Sequence, residues 1–70
     1  MGGEVTKVIE LVGHSDHSWE DAVRAAVKEA ARTLRGINGV EVMNWTGQVN
    51  AQGEITGYRA NVHVAFKVEH

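Results

Sequence analysis

Seventy residues without a cysteine allow one domain and exclude disulfide stapling and thiolate metal sites. With 43% hydrophobic and 23% charged residues and a net charge of −2, the composition is that of a globular domain with no basic excess to recruit DNA or RNA. A chain this short draws only roughly 3–5 kcal/mol from a core of its own, so further copies are the expected source of added stability.

Charge interrupts every apolar stretch within a few residues, and Met1 to Glu4 has neither a basic opening nor an apolar segment. The expectation is a soluble, cytoplasmic chain with no membrane partner, a single domain over 1–70 with a flexible start at 1–4. Glu69 and His70 read as a tag-like ending without function.

The β-branched run Val5, Val8, Ile9, Leu11 and Val12 predicts a first strand over 5–12, closed by Gly13. Residues 13–17 are turn formers. Ser18, with Asp21 three residues on, has the spacing of a capping box, which starts a helix at Trp19. Ala22, Val23, Ala26, Val27, Ala30, Ala31 and Leu34 recur at helical spacing, with charge around the other side, so the helix is expected to end near Arg35. Acid falls in the first turn and base in the last, as the macrodipole favours, and Gly36 is read as the left-handed helix stop. The alanines let the helix lie close to a sheet.

Val40, Glu41 and Val42 open a second strand that runs irregularly to Val49, with a bulge expected at Thr46-Gly47. Residues 50–53, Asn-Ala-Gln-Gly, have hairpin chemistry, so strands two and three should be antiparallel neighbours. From Tyr58 to Val68 apolar and polar residues alternate, the period of a half-covered strand. At ~3.4 Å per residue this run reaches roughly 35 Å, while the helix covers only ~25 Å. The sheet outruns its cover, and its open face carries Glu41, Arg59, Asn61, His63 and Lys67. The fold class is therefore α+β: strand-helix-strand-strand, a three-stranded antiparallel sheet wrapped on one helix, with edges that invite other copies.

That order, the turn Gly13-His14-Ser15 after Glu10-Leu11-Val12, and the closing run from Val62 to Glu69 resemble the dodecin family over nearly the whole chain. The resemblance implies a hollow homododecamer, helices outside and sheets inside, that binds flavins such as FMN or riboflavin at subunit interfaces without catalysing a reaction. It also implies that each flavin ring stacks on a tryptophan of the second strand and is hydrogen-bonded by a glutamine of the third. Here those positions hold Gly39 and Arg59, so the flavin site is degenerate. The resemblance gives Thr46-Gly47 in place of an arginine-glycine pair and keeps a basic residue at Lys67.

Four residues are candidate ligand contacts. Trp45 stands six residues from Gly39, about 20 Å along a strand, so it cannot replace the missing indole, and it is assigned to a contact between copies or to a different pocket. Arg59 either clamps an anion or pairs with Glu41 across the hairpin. Lys67 is either a solvated charge or an anion contact. For metal, Asp16, Glu20 and Asp21 supply carboxylates beside His14 and His17, a set suited to calcium better than zinc, against the simpler reading that they cap the helix and face solvent. Ser15, Asp16, His17 and Ser18 include the residue types of a hydrolytic triad, but adjacent residues cannot form the relay, so no catalytic residue is assigned. The leading expectation is a non-enzymatic binding or storage shell that takes a small molecule weakly or in an altered pose. The alternatives are ordinary flavin storage, and a structural or calcium-binding shell without an organic ligand.

Overall fold

A computed structural model describes residues 4–68; the expected roles of Met1 to Gly3, Glu69 and His70 lie outside the described residues. The chain folds as β1 (Thr6–Ser15), α1 (Trp19–Ala31), β2 (Ile37–Val49) and β3 (Ile55–Lys67). The strands form one antiparallel sheet in the order β1-β3-β2, with the alternating run at its centre. No described helix is long and apolar enough to cross a membrane.

Strand alternation assigns each side chain to a face. Ala60, Val62 and Val64 of β3 are fully buried against Ala22, Ala26 and Ala30, one stripe of α1 at four-residue spacing. Ile9, Leu11 and Val42 from the flanking strands pack around them. No side chain in this core is larger than valine, which brings helix and sheet close but buries little apolar surface. Val8, Val12, Val40, Met43, Trp45, Val49 and Ile55 all stay about half exposed or more.

Several boundaries differ from expectation. β1 does not close at Gly13 but continues to Ser15, because Gly13 is a packing residue: a Cβ there would overlap the carbonyl oxygen of Ala22 and come within 3.1 Å of the Ala26 methyl. The helix stops at Ala31, four residues early, and tightens into a last turn in which the N–H groups of Arg32, Thr33 and Leu34 donate to the carbonyls of Glu29 and Ala30. Gly36 is left-handed (φ 74°) but serves the start of β2 rather than the helix end, its carbonyl accepting from Lys67 N–H at 3.0 Å. The hairpin forms as expected, with Gly53 left-handed (φ 81°) and the Asn50 side chain accepting from the N–H groups of Gln52 and Glu54. Thr46-Gly47 is not bulged. The irregularities lie between Ile37 and Gly39, Val42 and Asn44, and Gln48 and Val49.

Candidate functional site

The bulge at Met43 decides which residues share a face. Without it, Gly39, Glu41 and Trp45 would all point the same way. With it, Glu41 stays opposite His63, while Trp45 moves opposite Ala60, on the helix-covered side. The four ligand-contact candidates therefore divide: Glu41, Arg59 and Lys67 share the open face, and Trp45 stands behind it.

The open face is a series of cross-strand rows. Val8, Ala65 and Gly39 form one, Glu10, His63 and Glu41 the next, then Val12, Asn61 and Asn44, then His14, Arg59 and Thr46. Arg59 is thus opposite Thr46 and two rows from Glu41. The expected Glu41–Arg59 ion pair does not form, and the ion pairs among the described residues are Arg32–Glu29 and Lys67–Glu4, both 3.1 Å. Lys67, about half exposed, reaches Glu4 at the start of the described chain.

Two polar atoms on the open face have no hydrogen-bond partner despite being buried, Nε of Arg59 and Oδ1 of Asn61. Buried donors and acceptors are satisfied in the great majority of folded proteins. These two lie on adjacent rows of the central strand.

Behind the sheet, Trp45 is one of three aromatic residues that clamp β2 and β3 to the helix start. Trp19 meets Trp45 edge-on with centroids 6.1 Å apart and Tyr58 at 4.8 Å, and its Nε1–H donates to the Thr46 carbonyl at 2.8 Å. Trp45 also walls an apolar groove of about 270 Å³ with Val23 and Val42, rimmed by Glu20 and Arg24. Neither this cluster nor the orphan pair was foreseen from sequence.

The metal candidates do not converge within a protomer. Among the described residues no group of three or more His, Asp or Glu side chains comes together. Asp21 belongs to the helix cap: its N–H donates to Ser18 Oγ at 3.0 Å, and its Oδ2 accepts from Ser15 Oγ at 2.7 Å. The capping box is therefore only half formed, because Ser15 Oγ, not the Asp21 carboxylate, receives the Ser18 N–H, at 3.3 Å, and the His17 N–H, at 2.9 Å. Asp16 and Glu20 are exposed on either side of this network.

A three-stranded sheet with its helix on one side and an uncovered polar face on the other matches known proteins along its whole length. A dodecin from Thermus thermophilus is 36% identical over 67 residues, 96% of each chain. A calcium dodecin from Mycobacterium tuberculosis is 38% identical over 64 residues, 91% of this chain and 89% of that one, and has been solved as a calcium-chelating antigen with a calcium-binding site. The solved dodecin of Streptomyces coelicolor superposes with a TM-score of 0.91 at 31% identity, covering 100% of this chain and 99% of its own. The Dodecin family model matches residues 5–69, and together with these relatives it establishes that the chain belongs to the dodecin family.

Proposed function

We propose that this chain is a non-enzymatic binding protein that works as a closed assembly of copies, twelve in the form the family resemblance implies, with its small-molecule site shared between copies on the open sheet face. The orphaned Arg59 Nε and Asn61 Oδ1 carry this reading, since one protomer offers neither a partner, and a turn of either side chain toward a ligand or a neighbouring copy would satisfy it. The register adds a second support. Gly39 and Arg59 stand at the positions of the ring-stacking and ring-reading groups, yet their rows are six residues apart on β3, about 20 Å. A single planar ligand that meets both positions draws them from different copies.

With glycine in place of the indole, a flavin loses its stacking surface and binds weakly or in a changed pose. The backbone at Gly39 accepts a side chain: its φ is not positive, and the nearest atom to an added Cβ is the Ala65 methyl at an ordinary 3.8 Å. The test is a fluorescence titration of FMN and riboflavin against the unaltered chain and the double variant Gly39→Trp, Arg59→Gln. Weak quenching by the unaltered chain and about tenfold tighter binding by the variant support the reading. Tight binding by the unaltered chain would replace it with ordinary flavin storage.

The calcium-chelating relative favours a second reading, a cation-holding shell. Asp16 and Glu20 leave exposed carboxylates outside the Ser15–Asp21 network, and a cation there would need ligands from more than one copy. Calcium retained through dialysis of a colourless preparation, and lost in Asp16→Asn, distinguishes it.

A further inference from the structure

At the opposite end of the protomer from the aromatic cluster, the segment after α1 and the ends of β1 and β3 enclose a groove of about 320 Å³. Leu34 and Phe66, both half-buried, form its apolar floor; Lys7, Thr33 and Arg35 line it with exposed polar groups, and Lys67 completes the wall. Two of the chain's seven Lys and Arg residues, Lys7 and Arg35, thus bring cationic side chains to one groove of a protein whose net charge is −2, while Lys67, whose side chain belongs to the open face, borders it. Neither Lys7 nor Arg35 has an ionic partner among the described residues, and Lys67 is paired with Glu4. The walls are built rather than trailing: Lys67 N–H is bonded to the Gly36 carbonyl at 3.0 Å and Val68 N–H to the Val5 carbonyl at 2.9 Å.

We infer that this groove is a second binding site, for an amphipathic anion: a phosphate or carboxylate attached to an apolar or aromatic body. Lys7 and Arg35 present two cations without an ionic partner among the described residues, and Arg35 can grip two oxygens at once. Thr33 offers a hydroxyl donor at the same rim. The floor of Leu34 and Phe66 accepts the body and excludes water around it, which a bare inorganic anion cannot use. The negative end of α1 lies nearby, but its Glu29 and Ala30 carbonyls already accept from the N–H groups of Arg32, Thr33 and Leu34. The inference is independent of the open-face reading, because the groove uses none of the same side chains as the orphan pair.

Calorimetric titration with three probes tests it: phenyl phosphate, phenol and inorganic phosphate, each against the assembled full chain. Phenyl phosphate should bind about tenfold tighter than either of the others and weaken as salt rises. Lys7→Gln and Arg35→Gln should each weaken it about threefold to fivefold, while Arg32→Gln, outside the groove, leaves it unchanged. Both groove residues are exposed, so the variants should keep the size of the parent assembly by light scattering. Equal binding of phenyl phosphate and phenol, or insensitivity to both substitutions, overturns the site. So does failure of the assembled chain to bind any probe while Lys7→Gln or Arg35→Gln reduces assembly size, since a neighbouring copy then fills the groove.

Discussion

The two faces of this sheet solve different problems. Behind it, Ala60, Val62 and Val64 meet an alanine stripe and leave no buried polar residue, so the centre of that face is closed within one chain. In front, Glu10, Glu41, His63, Asn61 and Arg59 stand in cross-strand rows with two buried polar atoms unpartnered, so that face is finished only from outside. The difference teaches that the closed face sets the fold, and on the reading proposed above the open face sets assembly and binding. Substitutions behind the sheet should therefore change protomer stability, and substitutions in front should change how copies and ligands join.

The largest effect is expected at Gly13. Gly13→Val drives a side chain into the Ala22 carbonyl and should cost about 3 kcal/mol or more in urea unfolding; a loss under about 1 kcal/mol would mean the helix shifts freely over β1. Next comes Trp19→Ala, which removes both edge-on aromatic contacts and the hydrogen bond to Thr46, for about 2–3 kcal/mol by the same measurement. Ser15→Ala deletes an acceptor of two backbone N–H groups and a donor to Asp21, for about 1–2 kcal/mol, with helical circular dichroism retained. In front of the sheet, Val12→Lys should leave the fold intact yet shift light scattering toward smaller species. The smallest effect belongs to Arg32→Ala, an exposed pair with Glu29, at under about 0.5 kcal/mol.

How much of this was legible in the sequence follows from the range of the forces involved. Element order, the Ser18 cap, the hairpin loop and the half-covered third strand rest on periodicity and on residues close in the chain, and all four are present. Gly13 was misread as a strand stop because the atom that requires a glycine there belongs to Ala22, on another element. The helix was drawn too long because Leu34 continues its apolar spacing, whereas the chain has already turned to bring Gly36 against Lys67. Where Trp45 points was not legible, because alternation fixes a face only in a strand without a bulge. Met43 breaks it and sends Trp45 to the back. The register itself was available in part. Counting outward from the 50–53 loop pairs Arg59 with Asn44 and Trp45 with Tyr58, which already separates Arg59 from Glu41; the irregularity between Gln48 and Val49 then moves the observed partners to Thr46 and Ala60.

Central to this account is the claim that the open face is completed by other copies of the chain. Sedimentation velocity at micromolar concentration and neutral pH tests it directly: a single species of about twelve times the 7.6 kDa chain mass is predicted, and a stably folded 7.6 kDa monomer would contradict it.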